Sequence, residues 1–302
     1  MTTMIEAATL PATPRAGRFA VGLAADPSEV LESQRLRYRI FAQELGAQIN
    51  CVGTGSEGVD CDQYDPYCKH LLVRDVDSGR IVACTRLLSD AQAPNAGGFY
   101  SASEFDLQMI ESLPGRVLEI GRTCVDAEFR SGAVIATLWQ GIAEIITTQG
   151  FDYLFGCASI GLEDGGAAAH ALLANIRERH MAPEYQRVRP YFPLPAADVR
   201  PVSRQSDKFE AHVSAPAPAP ISRSESTVSP AHVRLTEKPK MPALLKAYLS
   251  LGAKACGEAY WDRDFNCADV FMLLNVSELN PRYARHFLGR AAANEPARLL
   301  VA

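Results

Sequence analysis

The stretch VLEIGRTCVDAEFRSGAVIATLWQGIAEIITTQG, residues 117–150, decides the fold. Its beginning is rich in apolar and β-branched side chains and predicts a strand over residues 117–126. A turn containing Arg130 and Gly132 follows, and from Ala133 onward the apolar residues recur at the 3.6-residue period of a helix. The stretch therefore predicts a strand, a turn and a long amphipathic helix.

The turn is a candidate phosphate cradle. The first N–H groups of a helix have no acceptor within the helix, and the helix dipole is positive at that end, so helix N-termini bind phosphate. Gly132 permits a close approach of the backbone to such a group. An ordinary strand–helix connection is the alternative, and this motif alone leaves both open.

Strands and helices alternate on both sides of this stretch. Upstream, the pattern predicts a strand at 17–25, a helix at 27–45 and a hairpin of strands at 69–75 and 80–88. Downstream, it predicts a strand at 151–159, helices at 164–179 and 241–254, a strand at 270–274 and a short helix near 281–288. This order predicts an α/β (α+β) architecture with a central mixed sheet and helices on both faces.

The chain of 302 residues is long enough for one large domain. Residues 1–16 are predicted to be a flexible tail, and residues 17–302 a single domain. A Pro/Ala/Ser-rich tract at 203–240 has no hydrophobic periodicity and is predicted to be a mobile loop that interrupts this domain.

Composition and charge exclude several function classes. A net charge of −5 gives no reason to expect nucleic-acid binding, and no apolar run approaches the length of a membrane span. The N-terminus lacks the pattern of a secretion signal. The eight cysteines include no CxxC pair and are expected to be free thiols. A cytoplasmic location is therefore expected. The basic segment 238–254 predicts either a peripheral contact with the inner membrane surface or a core-facing helix.

Charged side chains inside otherwise apolar elements point to a binding site. Such groups are costly to bury unless they are paired or used. They and one aromatic neighbour are Arg37, Phe41, Asp62, Asp65, Arg86, Glu119 and Arg122. Guanidinium and carboxylate groups together predict a site for a small zwitterion. Cys61, Cys68 and His70 match no common zinc spacing, so no metal is expected.

The motifs that carry these residues resemble the acyl-carrier-dependent branch of the GNAT (GCN5-related N-acetyltransferase) fold. They are RYRIFAQELG, CDQYDPYCKHLLV, ACTRLLS and LEIGRTCVDAEFRSG, and the resemblance covers about residues 20–200. That branch contains acyl-homoserine-lactone synthases and ornithine N-acyltransferases, and WDRDFNCADVFMLL resembles the latter. The resemblance implies a GNAT-like, mostly antiparallel sheet flanked by helices.

The resemblance also implies an activity. A fatty acyl group, 3-hydroxylated in this branch, would pass from an acyl-carrier-protein thioester to the α-amine of L-ornithine, giving a lyso-ornithine lipid in the first step of ornithine-lipid synthesis. The carrier's phosphopantetheine arm arrives with that co-substrate, so no bound cofactor is expected. Two alternatives stay open: a lactone synthase, disfavoured by Ala47 where those enzymes typically carry Trp, and a non-catalytic acyl-carrier-binding module.

Residue roles follow from the matched positions. Glu119 is the predicted proton acceptor, because an amine attacks a thioester only when unprotonated, and an ion pair with Arg86 or Arg122 is its structural alternative. Arg37, Phe41, Asp62, Asp65, Arg86 and Arg122 are the predicted substrate-binding residues. The two aspartates would hold an ammonium group or order their loop, and one of the three arginines would bind the carboxylate.

The predicted acyl-donor residues are Thr123, Cys124, Val125, Arg130, Ser131, Gly132 and Ala133. A backbone N–H along residues 123–125 would stabilise the oxyanion, and a Cys124 nucleophile is the rival mechanism. Carrier proteins are acidic, so a basic docking patch is expected. Its candidates are Arg130, Arg177, Arg179, Arg187 and Arg189.

Overall fold

The computed structural model describes residues 17–49, 58–196 and 239–282. Its strands are β1 (Phe19–Leu23), β2 (Lys69–Asp75), β3 (Ile81–Ser89), β4 (Phe105–Asp106), β5 (Val117–Val125), β6 (Tyr153–Gly161), β7 (Arg189–Pro190), β8 (Lys254–Ala255), β9 (Tyr260–Asp262) and β10 (Cys267–Asn275). Its α-helices are α1 (Pro27–Tyr38), α2 (Gln108–Glu111), α3 (Gly132–Gln149), α4 (Ala167–Arg179) and α5 (Ala243–Leu251).

Eight strands form the central sheet in the order β1-β2-β3-β5-β6-β10-β8, with β9 also paired to β10. Every neighbouring pair is antiparallel except β5 and β6, which are parallel. β4 and β7 make a separate two-stranded sheet. The predicted mixed, mostly antiparallel sheet flanked by helices is therefore confirmed.

The main hydrophobic core lies between α3, α4 and α5 and one face of the sheet. On β5, Leu118 and Ile120 point into this core, because alternate residues of a strand face the same side. α3 contributes Leu138, Ile142 and Ile145 at helical spacing. α5 contributes Leu245, Tyr248 and Leu251.

The opposite face of the sheet carries a group of polar side chains, four of which (His70, Arg86, Glu119 and Asp269) are buried. Paired positions on neighbouring strands share a face, and these residues occupy such positions across the middle of the sheet. They are His70, Arg86, Glu119, Cys157, Ser159 and Asp269. Buried polar groups need partners, so this face is the one to examine for a functional site.

β5 is irregular in its second half. The pairing of β5 with β3 shifts between Cys84 and Arg86, which makes a β-bulge at Arg122. Arg122 has φ 51°, a left-handed conformation that is uncommon for residues other than glycine. β5 pairs with β6 only from Val117 to Glu119, so the two parallel strands separate beyond that point.

Most of the predicted elements are confirmed, with small differences at their ends. The helix predicted at 27–45 is an α-helix to Tyr38 and continues as a π-helical segment, Arg39–Glu44. The helix predicted from 164 begins at Ala167, because the Asp164 carboxylate caps its start by accepting from Gly166 and Ala168 N–H. The predicted tail at 1–16, residues 203–238 of the predicted loop and most of the predicted last helix lie outside the described residues.

Candidate active site

A cavity of about 280 Å³ opens on the polar face of the sheet. It is lined by Gln48, Ile49, Asp60, Cys61, Asp62, Tyr100, Ser103, Glu104, Arg122, Tyr260, Asp262, Asp264 and Phe265. Two of the predicted substrate-binding residues, Asp62 and Arg122, are therefore part of its wall. Apart from Cys61, which the sequence analysis considers as a metal ligand, the remaining lining residues are not among the predicted site residues.

Arg122 is held by two aromatic rings and two carboxylates. Its guanidinium carbon lies 4.6 Å from the centre of the Tyr100 ring and 5.1 Å from that of Phe265, which are cation–π distances. Its Nε lies 3.3 Å from Asp60 Oδ2 and its Nη2 3.6 Å from Asp62 Oδ2, close enough for ion pairs but not in hydrogen-bond geometry. The bulge aims this partly satisfied guanidinium into the cavity, where it can bind an anionic group.

Arg37 and Asp65 lie below the cavity wall, and each occupies most of the hydrogen-bonding groups of the other. Arg37 Nη1 and Nη2 donate to the two oxygens of Asp65 at 2.8 and 3.0 Å, and its Nε donates to Asp60 Oδ2 at 2.7 Å. Burial alone would raise the pKa of Asp65, but the guanidinium groups of Arg37 and Arg86 hold that pKa below its usual value. These contacts favour the loop-ordering role for Asp65 and leave Arg37 no free edge for a substrate carboxylate.

Asp62 joins this buried network to the cavity. Its Oδ1 accepts from Arg86 Nη1 at 2.6 Å and from the Tyr64 N–H at 2.9 Å. Its Oδ2 is buried and accepts no hydrogen bond within the described residues. A carboxylate oxygen without a donor on the wall of a cavity is a suitable acceptor for a substrate amine or ammonium group.

Glu119 lies behind the cavity wall rather than on it. Its two carboxylate oxygens accept the N–H groups of Tyr100 and Ser101, each at 2.7 Å. It forms no ion pair with Arg86 or Arg122 in the described part of the chain, and burial raises its pKa. The structure therefore gives Glu119 the task of positioning the segment that carries the wall residue Tyr100. Its predicted role as proton acceptor stays a prediction.

Phe41 supports Arg122 from a distance. Its ring packs edge-on against Phe265, with ring centres 5.7 Å apart, and Phe265 in turn covers the Arg122 guanidinium. The predicted aromatic on the first helix thus contributes to the site through Phe265, not through a place in the cavity wall.

The predicted acyl-donor residues lie at the far end of β5. Ser131, Gly132 and Ala133 are exposed at the start of α3, and the Ser131 side chain does not cap that helix. Its first N–H groups are therefore free to bind an anion. Arg130 beside them is ion-paired with Glu44.

The order of residues along the chain suggests that Glu119 lies beside this turn. In the structure it does not. From Glu119 to Val125 the strand rises about 20 Å, at roughly 3.3 Å per residue. The donor turn and Glu119 are therefore well separated along β5, and Arg122 of the cavity wall lies between them.

Cys124 is poorly placed to act as a nucleophile. Its thiol is buried 3.6 Å from the thiol of Cys84, and burial raises its pKa well above the ordinary value. Thr123 is engaged with Thr85, their hydroxyl oxygens being 2.7 Å apart. Direct attack of the amine on the thioester is therefore favoured over a covalent enzyme intermediate.

The cysteine prediction needs one correction. Cys68, Cys84, Cys124, Cys157, Cys256 and Cys267 are free thiols, as expected. Cys61 is disulfide-bonded. Pairing depends on how close two Cα atoms come in the fold, which spacing along the sequence does not show.

Two of the five candidates for the basic docking patch, Arg177 and Arg179, lie away from the donor turn. β5 and β6 are parallel, so α3 and α4 both start at the edge of the sheet where these strands end. Arg177 and Arg179 lie at the other end of α4, about 20 Å away at 1.5 Å per residue. Among the five candidates, Arg130 belongs to the donor turn itself. The apolar residues of the basic segment 238–254 face the core, which favours the core-facing alternative.

Sequence reasoning missed Glu104, which lies in a segment without a predicted element. The residue is 4% exposed, and among the described residues its Oε2 accepts a hydrogen bond from the Cys157 thiol, with the sulfur 3.4 Å away. Burial, and then repulsion from Asp269 and Asp262, raise its pKa well above the ordinary value. The motif WDRDFNCADV, which contains both aspartates, was the available signal for an acidic region.

Comparisons with known proteins identify the family of this chain. Residues 36–140 match the family described as an acetyltransferase (GNAT) domain. An L-ornithine N(alpha)-acyltransferase of Rhodobacter capsulatus is 31% identical over 90% of this chain and 95% of its own length. One of Brucella abortus is 32% identical over 90% of each chain. A solved structure of FeeM, an N-acyl amino acid synthase from uncultured soil microbes, covers 86% of this chain and 92% of its own at 13% identity, with a TM-score of 0.43.

The sheet, the free helix start and the matched domain define a GNAT-type N-acyltransferase. Within that class, the chain belongs to the L-ornithine N(alpha)-acyltransferase family, because the relatives match it over nearly their whole length. The resemblance drawn from the motifs is confirmed. None of the helices in the described ranges is long and apolar enough to span a bilayer.

Proposed function

We propose that this protein transfers a fatty acyl group from an acyl-carrier-protein thioester to the α-amine of L-ornithine, and that it does so in the cytoplasm. The observation that carries the proposal is the 31% identity to an L-ornithine N(alpha)-acyltransferase over 95% of that protein's length. The geometry supports it independently, because the cavity offers groups of both signs to a small zwitterion.

The substrate amino acid would bind at the Arg122 end of the cavity. Its carboxylate would pair with the guanidinium that the Tyr100 and Phe265 rings hold in place. Its α-amine would lie against Asp62 Oδ2, the buried oxygen without a donor. This arrangement would fix the amine for attack, and correct placement of the two reactants supplies much of the rate gain in such transfers.

The acyl donor would reach the same place along β5. The phosphate of the carrier's arm would bind the free N–H groups at the start of α3, and the arm would extend through the opening where β5 and β6 separate. No cofactor is needed beyond this arm. The amine nitrogen attacks the thioester carbon, a backbone N–H along residues 123–125 stabilises the oxyanion, and the C–S bond breaks as the amine loses its proton.

A reconstitution experiment tests the proposal. The purified protein is incubated with a 3-hydroxyacyl carrier protein and L-ornithine, and in parallel with the same donor and S-adenosylmethionine. N-acyl-ornithine, identified by mass, is expected in the first reaction only. A lactone product would identify a lactone synthase, and the absence of any product with a loaded carrier would indicate a carrier-binding module.

A further inference from the structure

Glu104 has a buried carboxylate with few hydrogen-bond donors around it among the described residues. Its backbone is fixed on both sides, since its N–H donates to Ser101 O and its carbonyl accepts from the Tyr191 N–H. Its side chain lines the cavity, and within the described residues it accepts one hydrogen bond, from the Cys157 thiol. A thiol is a weak donor, so this carboxylate keeps an oxygen for a group that enters the cavity.

More carboxylates stand beside it. Asp262 also lines the cavity, and its ligand atom lies within 4.8 Å of those of Cys267 and Asp269. Asp269 is 4% exposed and accepts from Ser159 Oγ at 2.6 Å. Among the described lining residues the cationic one is Arg122, which Asp60 and Asp62 already engage. Among the described lining residues five carboxylates therefore face one guanidinium, so negative charge is in excess.

The cavity wall thus offers groups of two kinds. Arg122 and Asp62 can take the carboxylate and the α-amine of an amino acid. Glu104 and Asp262 present further carboxylate oxygens that suit a second ammonium group. An amino acid with a neutral side chain would leave those carboxylates buried and unpaired, which costs binding energy.

We propose that Glu104, with Asp262 beside it and Asp269 behind it, forms a subsite for the side-chain ammonium of the acceptor and so selects diamino acids over neutral ones. This inference rests on the proposed function and names the residues that determine its specificity. The competing role for Glu104 is that of proton acceptor for the attacking α-amine, and the two roles predict different kinetics.

The test compares L-ornithine with L-norvaline, which has the same carbon chain without the side-chain amine. Wild-type protein and the Glu104→Gln variant are assayed with both acceptors, and norvaline is also measured as a competitive inhibitor, so its affinity is known even if turnover is slow. Glu111→Gln is the matched control, because Glu111 is exposed on α2 and loses the same charge.

The wild-type protein is expected to favour ornithine over norvaline by roughly 100-fold in kcat/KM, the size of effect that a buried charge-assisted hydrogen bond gives. Glu104→Gln should raise the KM for ornithine about 10- to 100-fold and bring the ratio between the two acceptors close to one. Glu111→Gln should keep the wild-type ratio.

Three outcomes overturn the inference. The first is a wild-type protein that uses both acceptors equally. The second is a Glu104→Gln variant that loses kcat for both by the same factor, which would identify a proton acceptor. The third applies if Glu104→Gln does not fold: Asp262→Asn then takes its place, and an unchanged ratio in that variant rejects the subsite. Failure of the wild-type protein to acylate any amino acid would instead reject the proposed function.

Discussion

Arg37 and Arg122 have opposite surroundings, and this difference assigns them different tasks. Carboxylate and carbonyl oxygens of Asp60 and Asp65 occupy the whole edge of the Arg37 guanidinium. Removing one partner of such a buried pair costs roughly 3–5 kcal/mol, because the other charge is left without compensation. Arg122 is held by rings and by looser ion pairs, so it can exchange one of these contacts for a substrate carboxylate.

Glu119→Gln tests the predicted proton acceptor. The glutamine keeps one acceptor for the Tyr100 and Ser101 N–H groups but turns an amide N–H₂ toward the other, so a modest loss of stability is expected. If Glu119 also accepts the proton, turnover should fall by 100-fold or more, in the range of general-base contributions. Activity is measured well below the melting temperature of the variant. Near-normal kcat in the folded variant would eliminate Glu119 as the base.

Asp269 gives the stability of the protein a pH dependence. Burial, and then the neighbouring Asp262, raise the pKa of Asp269 to about 6, above its value in an unfolded chain. The titratable and charged groups that face it are Asp262, Cys267, Glu104 and Arg122. Between pH 4 and 6 the folded state therefore holds more protons at this site than the unfolded state does, so the contribution of Asp269 to stability falls as pH rises.

Asp269→Asn should remove this effect. Its amide oxygen still accepts from Ser159, and the free energy of unfolding of the variant relative to wild type should rise by roughly 1–3 kcal/mol between pH 4.5 and 7. Urea unfolding at both pH values measures this difference. Asp77→Asn, on the exposed hairpin turn, should show no such change. A pH-independent difference for Asp269→Asn would contradict the assignment.

At the scale of elements, β5 and β6 make a close contact just where their pairing ends, at the opening proposed for the acyl donor. Gly156 of β6 sits so close to the Ile120 carbonyl of β5 that a Cβ atom there would collide with backbone. The strands pair up to this region and then separate. Glycine at this position therefore permits the close approach that precedes the opening.

Gly156→Ala should push the two strands apart at this point. A loss of stability of about 1–3 kcal/mol is expected, in the usual range for overpacking against groups that cannot move away. Gly22→Ala on β1 meets nothing within 4 Å and is the matched control in the same sheet. Thermal unfolding of both variants is the measurement, and equal melting temperatures would show that β6 can relax without cost.

The elements that the sequence predicts well are those with a strong period. β5, the turn and α3 follow from residues 117–150, since a strand and an amphipathic helix each leave a regular apolar pattern. The segment between β3 and β5 leaves no such pattern, because it consists of short turns, the two-residue β4 and the four-residue α2. Glu104 lies there, and only the tertiary fold brings it to Asp262 and Cys157.

At the scale of the molecule, the parallel pair β5–β6 decides where α3 and α4 begin, and so where the proposed carrier protein would deliver its arm. Both α3 and α4 begin at the same edge of the sheet, and the exposed donor turn lies there with Arg130. The sequence could supply the list of basic residues but not their placement, because their positions depend on the direction in which α4 runs back across the sheet.

Arg130→Glu should therefore raise the KM for the acylated carrier by about 10-fold at low salt, and by less as salt screens the charge. Arg177→Glu makes the same charge reversal at the opposite end of α4 and should leave this KM unchanged. Initial rates over a range of carrier and salt concentrations provide the comparison. Equal effects of the two variants would place the docking surface elsewhere.

The buried network of Arg37, Asp60, Asp65 and Arg86 has a consequence for how this protein can evolve. Each member neutralises at least one other, so exchanging any one of them for a neutral residue strands a charge in the interior. A substitution at only one of these positions is consequently expected to destabilise the protein. Lineages that depart from this arrangement must have replaced its members in concert, and the four positions should vary as a group or not at all.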